Sequence, residues 1–423
     1  MESLADIYER DAKMDEHFGL LTRAIDTMKF ATLLDPAAPR LLYLSQLLLN
    51  AGELTAAKQA VEKAERKYGT DVPLDALYCR GTIDARSGDL ESATLAYVQA
   101  NSRFPGHAAS IYALGSVYAC RGEIELADAL FAKDVGVMTG NGSVTYTRAL
   151  RFRPERSVHS SSLKRVVHPN TEGPRLTDGW RAVYLVAADS TYFCRYAKAL
   201  VRSIERYGKG SILLHLHVVN PTPEAQSLMH LISKSAGATT STEEVDLSGL
   251  NDVQRKTYYA CARYLILPDV SSIYSCPIVV ADMDQMLMAD PAPLFNLAEG
   301  NDVCLLRFEN QKNNLFSLIS ATVLLVAPTS NGMEFARKLA SNIQRAAGSV
   351  ANLVWHLDQA ALAIVYLENP QINYGFIPPS VVHLTDGEPP RDRGPEVGIF
   401  WSITNSIAAN LNKLKTESFK ELL

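Results

Sequence analysis

Two carboxylates separated by one residue follow a short apolar segment, and this arrangement can bind a divalent cation. The segment Ile278 to Ala281 is followed directly by Asp282, and Asp284 comes two residues later. A D-x-D triplet occurs by chance about once in a chain of this length, so the triplet alone says little. Its place after a buried strand says more, because an unpaired buried carboxylate is costly. The two acids could share a hard cation with the phosphates of a nucleotide, or they could cap a surface loop.

The residues around these acids predict the elements that position them. Strand-like apolar runs alternate with stretches of helical spacing. The strands are expected at 182–188, 212–219, about 244–245 and 278–281, and the helices at 196–207, 223–236 and 258–267. This alternation predicts a mostly parallel sheet with helices on both faces. Such sheets bind ligands beyond the carboxyl ends of their strands, which is where the two acids stand.

Five blocks of residues 180–395 occur in an order that is specific to one group of enzymes. They are Val183 to Tyr192, Tyr258 to Leu267, Ser320 to Leu325, Trp355 to Gln359 and Val381 to Pro389. Together with the two acids they resemble the GT-A glycosyltransferases. The resemblance is strongest to glycosyltransferase family 8, which contains glycogenin-like and lipopolysaccharide galactosyltransferase-like enzymes.

The resemblance implies a GT-A, Rossmann-like α/β/α domain that transfers a sugar from a nucleotide sugar, with a UDP-linked donor and retained configuration. It implies a cation held by Asp282, Asp284 and His383, and a nitrogen ligand beside carboxylates favours Mn²⁺ over Mg²⁺. It assigns catalytic roles to Asp358 and Gln359, which would orient hydroxyl groups and stabilise oxocarbenium-like charge. The donor-binding residues that it implies are Ala187, Asp189, Tyr192, Arg263, Asp282, Asp284, Gly387 and Arg391.

The chain departs from the family pattern in two of the blocks. Ser320 and Thr322 replace the Asn and Gly of the fourth-strand block, and the spacing from His383 to Gly387 is one residue longer. The phosphate-binding lysine is missing, with Arg391 or Arg393 as its substitute, and we assign Arg391. These departures affect the identity of the donor and the stereochemistry more than the fold.

Four of the assigned residues also have a purely structural interpretation. Arg263 could form an ion pair with Asp269. His383 could be a satisfied histidine at the end of a strand, Asp358 could cap a helix, and Asp189 could form a turn.

Four glycines recur with a nearly constant period in residues 1–141. They are Gly19, Gly52, Gly88 and Gly122, at spacings of 33, 36 and 34 residues, and an alanine follows each of them five residues later. Small residues let two helices cross closely, and this period is typical of helical repeat proteins. The pattern resembles the tetratricopeptide repeat in about four units, although an irregular helical bundle is the alternative. Such a solenoid holds a peptide, a protein or a neighbouring domain in its groove.

Charge and length divide the chain into three parts. With 423 residues, of which 47% are hydrophobic and 21% charged, two or three domains are expected. Net charge is −6 in residues 1–141, +4 in 142–179 and −3 in 180–423, so a general nucleic-acid footprint is absent. We predict a repeat domain over 1–141, a basic linker over 142–179 and the GT-A domain over 180–423, ending in a helix from 404. A phosphate-binding strip is the alternative for the basic segment.

Cysteine spacing and hydropathy indicate the cellular compartment. The six cysteines show no C-x-x-C spacing, and the chain has no apolar run of about 18 residues and begins with an amphipathic, charged segment. We therefore expect a cytoplasmic protein without disulfides, structural zinc, a transmembrane segment or a secretory signal.

The combined sequence prediction is a metal-dependent bacterial glycosyltransferase whose acceptor is a protein docked by the repeats, with flagellin as an example. A homodimer is compatible with this prediction. Two alternatives stay open. The enzyme could act on a saccharide or lipid-linked acceptor and use its repeats for oligomerisation, or the chain could be a non-catalytic interaction protein.

Overall fold

The computed structural model divides the chain into two compact units. The residues that it describes are 2–132, 165–169, 180–208, 210–235, 238–307, 318–347, 353, 356–378, 381–385 and 400–403. Gly387, Arg391 and the predicted helix from 404 lie outside the described residues, as does most of the predicted linker. No helix in the described part of the chain combines the length and apolar character that a membrane crossing requires.

Helices make up the first unit, and consecutive helices pack as hairpins. They are α1 (Leu4–His17), α2 (Leu21–Leu34), α3 (Ala38–Asn50), α4 (Leu54–Tyr68), α5 (Leu74–Arg86), α6 (Leu90–Arg103), α7 (Ala108–Cys120) and α8 (Ile124–Ala132). The four repeat glycines stand in the short turns inside these hairpins. All four have φ between 75° and 84°, a left-handed conformation that strains any residue with a Cβ atom.

Close packing explains the other small residues of the repeat. The four alanines that follow the glycines are completely buried. Gly81 of α5 lies beneath the ring of Tyr97, and a Cβ atom at Gly81 would stand 2.6 Å from a ring carbon. The repeat period therefore reflects turns that need glycine and helix crossings that need small side chains. The predicted helical repeat is confirmed.

The second unit is an α/β structure built on an eight-stranded mixed sheet. Its strands are β1 (Arg165–Pro169), β2 (Ala182–Asp189), β3 (Ile212–Val219), β4 (Thr239–Val245), β5 (Ile278–Ala281), β7 (Val303–Arg307), β8 (Ile319–Val326) and β9 (Tyr374–Ile377). A small second sheet contains β6 (Gln285–Leu287), β10 (Val382–Thr385) and β11 (Phe400–Ile403). The helices are α9 (Ser190–Gly208), α10 (Pro223–Ser235), α11 (Asp252–Ile273), α12 (Ala292–Asn296), α13 (Ser330–Ala347) and α14 (Leu357–Glu368).

Strand order identifies the place where this sheet can bind a ligand. Strands β4, β3, β2 and β5 are neighbours in that order and run parallel. The chain builds outward from β2 through β3 to β4, then crosses back and places β5 on the other side of β2. The order therefore reverses between β2 and β5, and such a switch point opens a crevice at the carboxyl ends of the two strands. The predicted α/β fold is confirmed.

One edge strand is not anticipated by the sequence analysis. Strand β1 falls within the predicted linker and pairs antiparallel with β4. Its Arg165 forms an ion pair with Glu243 of β4, whose side chain is fully buried. His217 of β3 contacts the same carboxylate at 3.5 Å. Burial raises the pKa of Glu243, but the hydrogen bonds from His217 and Arg165 outweigh it and the pKa is lowered.

Candidate active site

A buried arginine joins two acids that are far apart in the sequence. Nη1 of Arg263, on α11, lies 2.5 Å from Oδ1 of Asp282, which follows β5. Nη2 of the same guanidinium lies 3.2 Å from Oδ2 of Asp358, in the first turn of α14. The arginine side chain is only 4% exposed, whereas that of Asp282 is 33% exposed. One side of Asp282 is therefore held by the protein while the other reaches solvent.

Strand β8 supplies the backbone that fixes this arginine. The carbonyl of Ala321 accepts hydrogen bonds from Nη2 of Arg263 at 3.1 Å and from the hydroxyl of Tyr264 at 2.5 Å. The backbone N–H of Ala321 donates to Oε1 of Gln359 at 3.4 Å. Strand β8 and helices α11 and α14 therefore meet at one residue. Ala321 contacts two of the predicted site residues, Arg263 and Gln359, and Arg263 in turn holds Asp358.

The second acid of the D-x-D pair belongs to a different contact. Oδ2 of Asp284 accepts a hydrogen bond from the hydroxyl of Tyr192 at 2.7 Å. Tyr192 stands in the first turn of α9, where its backbone N–H donates to Oδ1 of Asp189 at 2.7 Å. Asp189 therefore caps the start of α9, whereas its structural interpretation was a turn. Ala187 is buried in β2, two residues before this cap. The contact links the carboxyl ends of β2 and β5 across the switch point.

The charges of the site alter one another's proton affinity. Burial and the neighbouring charge of Asp282 raise the pKa of Asp284 to about 7, although the hydrogen bond from Tyr192 acts to lower it. Burial also raises the pKa of Asp282, against the effect of Arg263. Burial acts to lower the pKa of Arg263, but Asp282 and Asp358 outweigh it, so its pKa is raised and the guanidinium stays charged. The crevice therefore holds more negative charge than its arginine compensates.

A cavity of about 170 Å³ opens beside this network. Its lining includes Arg263, Asp282, Asp358 and Gln359, together with Thr322 of β8 and His356. His356 begins α14 with φ of 68°, an uncommon left-handed conformation for a residue other than glycine. Nε2 of Gln359 lies 3.0 Å from Nδ1 of this histidine. The strained turn thus fixes the side-chain amide beside the cavity.

The predicted third metal ligand lies in the small sheet, and its backbone position is described. His383 is in β10, which pairs with β11, and β11 pairs with β6. Strand β6 begins one residue after Asp284. Among the described side chains, no three His, Cys, Asp or Glu residues are grouped closely enough to hold a metal ion.

The structure brings together most of the predicted site residues whose side chains it describes. Arg263, Asp282, Asp358 and Gln359 share one network, while Asp189, Tyr192 and Asp284 form an adjoining chain of contacts. Arg263 pairs with two acids of the site, and neither partner is Asp269, which the structural alternative named.

Sequence reasoning did not single out four residues that line or support the cavity. Tyr264 and His356 hold the backbone or the glutamine, and Thr257 and Ala260 line the cavity. A signal for the latter two exists. Thr257, Ala260 and Arg263 are spaced three residues apart, so they follow one side of α11.

Several solved structures resemble parts of this chain. A tetratricopeptide repeat protein from Parabacteroides merdae shares 20% identity at a TM-score of 0.32, and the match covers 35% of this chain and 59% of that chain. The galactosyltransferase LgtC, solved with donor and acceptor sugar analogs, shares 13% identity at a TM-score of 0.36, covering 57% of this chain and 100% of that chain. The glycosyltransferase GlyE of Streptococcus pneumoniae shares 19% identity at a TM-score of 0.31, covering 47% of this chain and 45% of that chain.

These structures include repeat proteins and glycosyltransferases, the two kinds of fold that the sequence resembles. The chain thus spans less than two thirds of the repeat protein and less than half of GlyE. No protein-family model and no curated protein matches the chain.

Proposed function

We propose that the second unit is a metal-dependent glycosyltransferase that moves a sugar from a UDP-linked donor to an acceptor hydroxyl. One observation carries the proposal. The acid after β5 and the acid of α14 both pair with Arg263, and together with the amide of Gln359 they line one small cavity beyond the carboxyl end of β5. A crevice of this kind, lined by charged groups that are fixed by buried partners, is suited to a polar ligand with a reactive centre. The sequence blocks that resemble glycosyltransferase family 8 supply most of these residues.

The donor set fits a divalent cation. Burial and the neighbouring charge of Asp282 raise the pKa of Asp284 to about 7. Carboxylate oxygens are the ligands that hard divalent cations prefer, and a cation would relieve this repulsion. Asp282 and Asp284, with His383, would hold Mn²⁺ or Mg²⁺. When bound, the cation would act as a Lewis acid that neutralises the leaving diphosphate.

The protein side chains position the reacting groups. Arg263 holds Asp358 in place, because its guanidinium is buried and pairs with Asp282 on one side and Asp358 on the other. Asp358 and Gln359 would then orient sugar hydroxyls at the cavity and stabilise positive charge that develops on the donor sugar. Because its contacts in the structure are to protein groups, Arg263 acts here as a positioning residue. We assign the role of phosphate clamp to Arg391, and Gly387 would let the backbone approach the donor phosphates closely.

The remaining parts of the proposal concern the nucleoside, the acceptor and the compartment. Asp189 and Tyr192 would bind the nucleoside at the carboxyl end of β2, by hydrogen bonding and stacking, close to Ala187. The helical repeats would dock a cytoplasmic protein acceptor and present its hydroxyl group. Repeat solenoids offer extended surfaces for protein partners, and this is the support for a protein acceptor.

Thermal unfolding with UDP and a panel of UDP-sugars, each with and without Mn²⁺, tests the proposed donor site. Ligand binding to the native state stabilises it by about 2.7 kcal/mol at a ligand concentration of 100 Kd. We expect a Mn²⁺-dependent rise in melting temperature that Asp284→Asn abolishes. The matched control is Asp269→Asn, because Asp269 is an exposed acid of α11 outside the network. An equal rise in both variants, or no rise with any nucleotide, would reject the site.

A further inference from the structure

The first unit carries a groove with an unburied apolar surface. It lies between α2 and α4, with α3 beneath, and its volume is about 560 Å³. Leu41, Leu44 and Leu48 of α3 are buried side chains that form its floor. Leu33 of α2 lines the groove with 79% of its surface exposed. Exposed apolar surface next to an apolar floor marks an interaction site more often than a defect of packing.

Positive side chains surround this groove. Lys29 of α2 and Lys63, Arg66 and Lys67 of α4 contribute to its lining. Among the described residues, one of these four cations forms an ion pair, an exposed contact of 3.4 Å between Lys29 and Asp26. Arg66 and Lys67 stand in the last turn of α4, where the helix dipole favours cations. The dipole does not account for Lys63, which precedes this turn, or for Lys29 of α2.

The cluster stands out against the charge of its own unit. Residues 1–141 carry 14 basic and 20 acidic side chains, a net charge of −6. Seven of the other cations in the described part of the unit form ion pairs, as Arg40 does with Asp6, Glu9 and Asp35. Three cations that have no ion pair among the described residues, together with Lys29, therefore create a local positive field in an otherwise acidic unit.

We propose that this groove is the docking site for an acidic, amphipathic protein segment, whose apolar side chains occupy the α3 floor while its carboxylates face the surrounding cations. The concave form and the volume favour a protein segment over a flat anionic membrane. The inference extends the proposed function, because the segment would belong to the acceptor or to a protein that delivers it. Docking itself does not depend on sugar transfer.

Selection of random displayed peptides on the full-length protein tests this proposal without a known partner. We expect the enriched peptides to combine Asp or Glu with two or three large apolar residues. In fluorescence polarisation, the double variant Lys63→Glu/Arg66→Glu should weaken their binding about tenfold, since two exposed attractions become repulsions. Leu33→Asp should weaken it by at least about tenfold. Rising salt should weaken binding to the wild type.

Matched controls come from the neighbouring helix α6. Leu95→Asp replaces a leucine that is 66% exposed, and Arg103→Glu replaces an exposed cation. Neither residue lines the groove, so both variants should bind the peptides like the wild type. Stabilisation by UDP-sugar and Mn²⁺ should be unchanged in every variant, which separates a failure of docking from a failure of the transferase proposal.

Five outcomes would overturn the docking site. The selection could yield no binding peptide, peptides without acidic enrichment, or peptides that bind the groove variants as tightly as the wild type. In the fourth, analytical ultracentrifugation would show a dimer that Leu33→Asp dissociates, which would assign the groove to a second copy of the chain. In the fifth, the groove variants would lose the binding of the wild type to phosphatidylglycerol vesicles while their binding to peptides stayed unchanged, which would assign the groove to a membrane.

Discussion

Replacing Arg263 by methionine should destabilise the second unit more than almost any other single change. The side chain is 4% exposed, and it neutralises Asp282 at 2.5 Å and Asp358 at 3.2 Å. Removing one partner of a buried ion pair leaves an uncompensated charge and costs about 3–5 kcal/mol. Arg263→Met leaves two such acids, although Asp282 is one-third exposed and contributes less. We therefore expect a loss of about 4 kcal/mol in the free energy of unfolding.

A double-mutant cycle isolates the pairwise part of this loss. Asp358→Asn removes the charge that Arg263 would leave behind, so the two changes together should cost less than their sum. The expected coupling is about 1–3 kcal/mol. Urea denaturation followed by circular dichroism measures all four proteins. Arg337→Met is the matched control, because Arg337 is 61% exposed and pairs with Glu334 at 3.3 Å, and it should cost less than about 1 kcal/mol.

Two results would refute the reasoning. One is a loss below about 1 kcal/mol for Arg263→Met, which is the range of an exposed pair. The other is simple additivity of the two site variants, which would mean that the arginine and Asp358 do not interact.

Three further predictions concern other parts of the chain. Burial and His217 lower the pKa of His215 to about 3. As the pH falls, the unfolded state therefore takes up a proton at this histidine before the folded state does, and the free energy of unfolding should fall by about 2 kcal/mol from pH 6.5 to 5. A His215→Gln variant with an equally steep pH profile would contradict this. Gly81→Ala should cost about 1–3 kcal/mol in urea denaturation, because its Cβ would lie 2.6 Å from a tyrosine ring, whereas Gly249→Ala, which meets no atom within 4 Å, should cost little. Tyr192→Phe should cost about 1.5–3 kcal/mol by the same assay, since it removes a 2.7 Å hydrogen bond to a carboxylate; an unchanged midpoint would show that the hydroxyl is not bonded in solution.

The sequence predicts the central strands well because most of their residues are apolar. Residues 278–281 are a continuous apolar run and form the observed β5, and residues 212–219, interrupted only by His215 and His217, form the observed β3. The observed β4 extends over Thr239–Val245, whereas the sequence predicts only 244–245. The prediction is too short because residues 239–243 are Thr, Ser and Glu, which form no apolar run. These polar residues are almost all buried, and they bond to the histidines of β3 and to Arg165. A hydropathy pattern does not reveal a strand whose core is a polar network.

The order of the site residues in the sequence did not determine their partners. The structural alternative paired Arg263 with Asp269, six positions further along the helix, but residues that face each other on a helix are three or four apart. Its observed partners come from a turn and a helix far along the chain. Only the folding of α11 between β8 and α14 brings them together. The left-handed turn at His356 is likewise invisible in the sequence, because no glycine or asparagine marks it.

Sugar transfer itself is the most direct test of the central claim. Release of UDP from UDP-sugars, with water receiving the sugar in place of the acceptor hydroxyl, can be followed in the presence of Mn²⁺ for the wild type, Asp284→Asn and Asp269→Asn. We expect turnover of at least one donor by the wild type and by Asp269→Asn, and a loss of about 100-fold or more for Asp284→Asn, because this change removes a group that stabilises the transition-state charge. Equal turnover by Asp284→Asn, or no turnover of any donor by the wild type, would contradict it.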